Sequence, residues 1–475
     1  MSSKQQATNS VFWSAVERFS VQGIQYVLSI LIARQLLPSD YGLVAMLGIF
    51  MAIAQTFIDS GFGNALIQKK NRTEIDYSTV FYFNIVVAIV VYALLYFCSP
   101  FIAAFYNEPK LDMVTKIIGL TLIINSLAIV QQTKLTIVLD FKHQAYASLL
   151  AVIISGAIGI WMAYNGYGVW TLVWQALLNN ILRVILLWRF SIWRPLAIFS
   201  IASFRGLFSF GSKLLISQML HTIYTNLYTL VIGKQFASDE LGFFNRASTF
   251  AQFPSSNFTN VIVRAVYPIQ CKIQDDTKEL NRTFLVYLRM VCYIIFPIMI
   301  ALCVMAEPLI ELLLTDKWLP AVPFFQILCI AYMWDPVMKI NHNILNVKGR
   351  SDYFLRAEII KKMIAMLILI ATIPFGVTVM CWGLIAYAFV DMLVIIYFTH
   401  KLTQITFFQQ AKSLMSVILL SITMGVLIFL IMLLVTTPLC KVIFGTMAAV
   451  IYYFGGSYLL EFNEFKQLLS IIGRT

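Results

Sequence analysis

Val80-Phe81-Tyr82-Phe83-Asn84-Ile85-Val86-Val87-Ala88-Ile89-Val90-Val91-Tyr92-Ala93-Leu94-Leu95-Tyr96-Phe97-Cys98 runs without a charged residue for the length a helix needs to cross a bilayer. A helix rises 1.5 Å per residue, so about 20 residues span about 30 Å of hydrocarbon. Charge-poor runs of this kind recur from residue 10 to residue 461. The 475 residues are 60% hydrophobic and only 12% charged, where a soluble domain has about 25% charged residues. Mean hydropathy is +0.82. Such a chain has no room for a soluble catalytic domain and predicts an all-α membrane protein of about 14 transmembrane helices.

The expected helices are 10–33, 42–66, 78–104, 114–132, 145–164, 168–190, 206–232, 245–268, 283–306, 320–345, 356–375, 382–400, 411–436 and 440–461. Connections between them are short, as in the tight turn Asn165-Gly166-Tyr167-Gly168. The first apolar run contains Glu17 and Arg18 and lacks a small-residue cleavage site, so it is expected to stay as helix 1.

Loop cations set the orientation, because Lys and Arg concentrate on the cytoplasmic side. Taking the N-terminus and every second connection as one side gives 21 Lys and Arg there, five of them in 346–362. The other side has seven: Arg34, Lys110, Lys116, Lys234, Arg246, Lys317 and Lys441. Both termini are therefore expected in the cytoplasm. The basic excess, 34 Lys and Arg against 22 acids, is dispersed over short loops and forms no nucleic-acid-binding face. Seven scattered cysteines without a CxxC spacing read as apolar packing residues.

Comparing residues 200 apart reveals a repeat. Ile32-Ala33-Arg34-Gln35-Leu36-Leu37-Pro38-Ser39-Asp40-Tyr41-Gly42 aligns with Ile232-Gly233-Lys234-Gln235-Phe236-Ala237-Ser238-Asp239-Glu240-Leu241-Gly242. Six helices separate the copies, so they have the same orientation and are parallel repeats about an axis along the membrane normal. Two pseudo-two-fold-related six-helix lobes are expected, 1–200 (helices 1–6) and 201–410 (helices 7–12), followed by helices 13–14 and a tail in 411–475.

Six cations fall within expected helices: Arg18, Arg183, Lys213, Arg264, Arg289 and Lys339. Each costs about 2.5–3.5 kcal/mol at a lipid-facing helix centre, so most should face a cavity, a partner or headgroups. Arg183 and Arg289 are balanced between the interior and snorkelling to lipid phosphates. Asp335, Lys339 and His342 are spaced i, i+4, i+7 and share one stripe of helix 10 beside Pro336. That stripe reads either as a self-neutralising pair or as an ionic switch lining a cavity. Glu17, Asp59, Asp335 and Asp391 are the intramembrane acids, and six cations against four acids favour an anionic solute. GxxxxGK[ST], HExxH and GxSxG motifs are all missing, so no enzyme activity and no cofactor are expected. Work against a gradient would then draw on H⁺ or Na⁺.

Several stretches carry a family resemblance: Ala33 to Gly42 as above, Asp59-Ser60-Gly61-Phe62-Gly63-Asn64-Ala65-Leu66-Ile67-Gln68, Ser209-Phe210-Gly211-Ser212-Lys213, Gly242-Phe243-Phe244-Asn245-Arg246-Ala247 and Lys317-Trp318. With these, nearly the whole chain resembles the bacterial polysaccharide transporter family, the Wzx-type and colanic-acid-exporter-like flippases of the multidrug/oligosaccharidyl-lipid/polysaccharide superfamily. The resemblance implies fourteen helices in two lobes around a cationic cavity. It also implies transfer of undecaprenyl-diphosphate-linked oligosaccharide to the outer leaflet of the bacterial inner membrane. Arg18 and Lys213 then correspond in place to cavity cations, with Arg246, Arg264 and Lys339 as further candidates for substrate binding. Glu17, Asp59, Asp335, His342 and Asp391 are the candidates for ion coupling. Implied partners are the lipid-linked oligosaccharide, membrane lipids, and the polymerase and glycosyltransferases of the same pathway. A MATE-like cation or drug antiporter and a membrane-bound polysaccharide polymerase are the competing readings, along with a non-transporting scaffold recruited through its basic inner loops.

Overall fold

Inside hydrocarbon every backbone N–H and C=O needs a partner, and a helix supplies these within one segment. The computed structural model describes residues 20–59, 62–69, 71–138 and 140–466, apart from the side chains at 64, 68, 209–214, 216, 217, 220, 221 and 351. Regular structure among these residues is entirely helical. Ten helices there are long and apolar enough to cross a membrane. The described part of the segment expected as helix 1, 20–33, and the segments expected as helices 7, 8 and 11 are also helical but are too short, too polar or too charged to meet that description.

Packing divides the chain into two compact units, Met1–Gly242 and Phe243–Thr475. The first contains α1 (Ser20–Ala33), α2 (Pro38–Asp59), α3 (Phe62–Gln68), α4 (Glu74–Tyr106), α5 (Lys110–Ser126), α6 (Ile129–Ile137), α7 (Phe141–Tyr164), α8 (Val169–Phe190), α9 (Ile201–Thr225) and α10 (Leu227–Gln235). The division falls in the first turn of α11 (Ser238–Lys272). The second unit continues with α12 (Thr277–Val304), α13 (Ala306–Leu314), α14 (Val322–Tyr332), α15 (Asp335–Val347), α16 (Ser351–Thr372), α17 (Val377–Thr403), α18 (Phe407–Leu434) and α19 (Pro438–Leu459).

Lipid tails are as apolar as leucine, so helices in a membrane associate through close packing and polar contacts more than by expelling water. In the first unit α7 offers Ala147, Ala151, Ser155, Gly159 and Ala163 four residues apart, all buried. Asn179 of α8 donates to Ser155 Oγ across this stripe at 3.1 Å. At the start of α4, Thr73 and Asp76 form a reciprocal capping box, and Asp76 also receives Lys69 at 2.7 Å. Loop 191–200 is tied to the same end: Leu196 N–H donates to Ser78 Oγ (2.9 Å) and Ser200 N–H to Thr79 Oγ1 (3.1 Å).

The two copies of the repeat meet in the first unit. A Cβ built on Gly42 would lie 1.8 Å from the carbonyl oxygen of Ser238, and one built on Gly242 would lie 2.0 Å from that of Pro38. Pro38 and Ser238 are equivalent positions of the repeat, so the two helix starts cross reciprocally, backbone on backbone. This explains why glycine recurs in register where most neighbouring residues differ.

Helix 10, expected to be continuous over 320–345, is broken at Met333–Trp334. Pro336 is the cause: it has no N–H, and its ring clashes with the carbonyl four residues earlier, that of Tyr332. The carbonyl so released, at the last residue of α14, accepts a hydrogen bond from Ser255 Oγ at 2.8 Å, and Ser248 Oγ lies 3.0 Å from the Tyr332 hydroxyl. Helix 4 is likewise interrupted between α5 and α6, where Leu127 O accepts from Trp188 Nε1 at 2.9 Å. Polar side chains tie helices of the second unit together: Asn341 and Gln410 exchange amide hydrogen bonds at 2.9 and 3.1 Å, and Asn343 donates to Gln270 Oε1 at 2.8 Å.

Two substitutions test this packing. Gly42→Ala forces a methyl into backbone that cannot yield and should lower folded protein in detergent several-fold, while Gly48→Ala, with nothing within 4 Å, should not; size-exclusion recovery after mild heating separates them. Ser255→Ala leaves the Tyr332 carbonyl without its donor, and thermal unfolding should report a loss of about 1–3 kcal/mol.

Candidate functional site

The sequence-expected charges separate into those that neutralise each other and those that stay open. Glu17 and Arg18 lie outside the described residues, as does the side chain of Lys213 on α9. Asp59, at the end of α2, is exposed and accepts a hydrogen bond from Gln55 Nε2 at 2.8 Å, one turn back on its own helix. Arg183 donates to Gln132 Oε1 at 2.9 Å, and Arg289 reaches Glu464 at 2.7 Å with its guanidinium 5.4 Å from the Phe462 ring centroid. Both of these arginines therefore take protein partners, which lowers the cost of their position.

In the second unit Arg246 is buried, with its guanidinium 5.7 Å from the ring centroid of Phe250. Arg264, about five turns further along α11, is exposed and has no ion-pair partner among the described residues. It lines a cavity of about 600 Å³ with Val263, Tyr267, Asn343, Leu345, Asn346, Gly349 and Phe354. A guanidinium brings a rigid fork of donors, and the two asparagines and the tyrosine add further hydrogen-bonding groups. Such a cavity is chemically suited to an oxygen-rich anion.

The stripe on α15 splits. Lys339 Nζ lies 3.4 Å from Asp335 Oδ2, one turn back, so these two form their own pair. His342 turns instead to α16, where its Nε2 is 3.2 Å from Glu358 Oε1. Glu358 also receives Lys361 Nζ at 2.6 Å, and that ammonium stands 3.1 Å from Oδ1 of Asp391 on α17. The structure thus brings His342 and Asp391 into one cluster through two residues absent from the sequence-derived set. Asp335 faces Asp391 from the neighbouring helix.

Arg356, Lys361 and Lys362 fall inside the expected helix 356–375, and the structure corrects their count among the loop cations of 346–362. Helix α16 begins at Ser351, so Arg356, Lys361 and Lys362 are helical residues, and Lys361 is only 5% exposed. The signal for this lay in the spacing Glu358, Lys361, Lys362 (i, i+3, i+4), which places both amines beside one carboxylate on a helix. At the start of the same helix, Arg350 pairs with Asp352 at 2.7 Å and holds that exposed carboxyl down at about 2.

Comparison with known proteins places this architecture. The family model described as polysaccharide biosynthesis protein matches residues 31–323. The chain is similar to the teichuronic acid biosynthesis protein TuaB of Bacillus subtilis (strain 168), with 26% identity over 428 residues covering 88% of this chain and 87% of that one. It is also similar to the lipopolysaccharide biosynthesis protein WzxC of Escherichia coli (strain K12), with 26% identity over 363 residues covering 76% and 74%. Among solved structures its fold is similar to that of the lipid II flippase MurJ in an inward closed conformation, with a TM-score of 0.75 over 95% of this chain and 99% of that one. Identity there is 16%, so the likeness is one of fold. The family match extends over well more than half of a chain built as a multi-pass helical membrane protein, and the chain belongs to the polysaccharide biosynthesis protein family.

Proposed function

We propose that this protein is a transporter of polysaccharide biosynthesis that moves an undecaprenyl-diphosphate-linked oligosaccharide across the bacterial cytoplasmic membrane by alternating access. The observation that carries the reading is Arg264: an exposed guanidinium on α11 with no ion-pair partner among the described residues, lining a cavity furnished with Tyr267, Asn343 and Asn346. Arg289 and Lys339 are paired with carboxylates and Arg183 is hydrogen-bonded to an amide, whereas Arg264 has no ion-pair partner among the described residues. A diphosphate needs such donors, because each unsatisfied polar group in hydrocarbon costs several kcal/mol. Family membership and the polysaccharide pathways named for TuaB and WzxC support the same substrate class. Arg18 and Lys213 remain candidate cavity cations on the strength of the resemblance. The domain limits 1–200, 201–410 and 411–475 remain part of the reading.

Orientation belongs to the same proposal, with both termini in the cytoplasm. In spheroplasts of a cysteine-free variant, Thr436→Cys should react with a membrane-impermeant maleimide at once and Asp275→Cys only after permeabilisation; the reverse order would invert the topology.

A charge-assisted hydrogen bond contributes about 1.5–3 kcal/mol, so Arg264→Ala should weaken substrate capture roughly 10- to 100-fold. In cells lacking the native gene, the variant should reach the membrane normally, while surface polysaccharide falls and lipid-linked sugar accumulates on the cytoplasmic leaflet. Arg264→Lys should recover part of the export. Wild-type export by Arg264→Ala would remove this cavity from the pathway.

A further inference from the structure

We propose that the outer side of the hairpin formed by α16 and α17 is a binding site for a bilayer phospholipid with a net anionic headgroup, whose phosphate is held by Arg356 and Lys401.

The two helices run antiparallel. Near their open end the rings of Tyr353 and Phe398 have centroids 5.4 Å apart, and near the connecting turn a Cβ built on Gly383 would lie 3.0 Å from Ile368 and 3.1 Å from Thr372. Along α16, Leu355, Ile359, Met363 and Leu367 recur every four residues and are all exposed. Along α17, Phe389, Leu393 and Tyr397 do the same. Four-residue spacing puts each set on one stripe, and large apolar side chains left open on helices of a membrane protein face acyl chains. Both stripes finish in a cation at the open end of the hairpin. Exposed Arg356 adjoins Leu355, and exposed Lys401 follows Tyr397 by one turn, its Nζ 4.4 Å from the centroid of that ring. Aromatic rings and basic groups at the end of an apolar stripe mark the level of the headgroups.

The charges at this end do not cancel. Lys361 and Lys362 face Glu358 at 2.6 and 3.6 Å, and Arg350 is matched by Asp352 at 2.7 Å. Arg356 and Lys401 have no carboxylate partner among the described residues. A zwitterionic headgroup would bring its own ammonium to a place where the nearby carboxylates are already engaged; a net anionic one brings only the charge that is missing. A second copy of the chain fits this face poorly, because two-fold packing through it would crowd four cations into one interface. Each basic residue near an anionic surface strengthens binding about fivefold, so the pair should favour an anionic over a zwitterionic phospholipid about 30-fold.

The same device recurs on α7 and α8, which hold the corresponding places in the sequence repeat. Exposed Lys142 and Tyr146 stand one turn apart, with Nζ 5.9 Å from the ring centroid. Exposed Arg189 lies at the facing end of α8 beside Phe190, whose ring centroid is 5.0 Å from that of His143. Different residues thus supply an exposed tyrosine and two cations at the open end of both hairpins.

The test uses full-length protein in phosphatidylcholine nanodiscs that carry a trace of phosphatidylglycerol or of phosphatidylcholine with a photoreactive diazirine high on one acyl chain. Labelled peptides are mapped by mass spectrometry after irradiation. Peptides of α16 and α17 should take up the anionic probe at least tenfold more than the zwitterionic one. Arg356→Gln combined with Lys401→Gln should bring that ratio close to one while α7 and α8 keep theirs. Lys278→Gln combined with Arg282→Gln, which removes two exposed cations of α12, should leave it unchanged. Equal labelling of α16 and α17 by the two probes in wild type would overturn the proposal, and so would a ratio retained by the folded Arg356→Gln, Lys401→Gln protein. Protection of both helices from both probes would overturn it in favour of a face closed by a second copy. No transported substrate enters the measurement, so its outcome is independent of the transport reading.

Discussion

Hydrocarbon offers no hydrogen bonds, and two helix interruptions in this protein carry their own repair. Where Pro336 removes a donor and displaces the Tyr332 carbonyl, Ser255 donates to that carbonyl. Where α5 gives way to α6, the indole of Trp188 donates to Leu127. The same demand governs charge, and it explains why so few charged residues lie in the helices without a partner. Arg183 has Gln132, Arg289 has Glu464, and Lys339 has Asp335. Against that background a group left open carries information, and Arg264 is such a group.

Polar contacts also fix how the second unit is put together. Asn341 and Gln410 hold α15 to α18, Thr399 Oγ1 donates to the Asn341 carbonyl at 3.2 Å, and Asn343 holds α15 to α11 through Gln270. An amide pair in a low-dielectric interior is directional and costly to leave half made, so these contacts set helix register where apolar packing alone would permit sliding. In the first unit the corresponding role falls to close backbone approach, through the small-residue stripe of α7 and the crossing of Gly42 and Gly242.

Much of this was legible from residue order because the membrane imposes it. Uncharged runs such as Val80–Cys98 have one solution in lipid, and the register of Gly42 with Gly242 marked a contact that only glycine permits. Local chemistry that depends on partners was less visible. Pro336 was noticed beside the polar stripe, but the break at Met333–Trp334 depends on Ser255, 81 positions earlier. Lys361 was hidden by its neighbours: although it lies inside the expected helix 356–375, beside Lys348, Arg350, Arg356 and Lys362 it counts as one more loop cation, and its burial comes from packing against α17. Which carboxylate it meets is decided by α17, and no local spacing encodes that. Asp335, Lys339 and His342 share a helix face as their spacing requires, yet the third turns to a different partner because Glu358 lies across from it.

The placement of α15 links the buried ionic cluster to the anion cavity. It carries His342, which meets Glu358 of the buried ionic cluster, and immediately after it Asn343, which lines the anion cavity and anchors to Gln270. Phe354 lies between them, against the imidazole on one side and the cavity on the other. A movement of α16 against α15 would act through the contact of His342 with Glu358. Any resulting shift is delivered to Asn343, Asn346 and Phe354, which face the same cavity as Arg264. Such a link requires no long-range pathway, because adjacent residues of one short helix belong to the cluster and to the cavity.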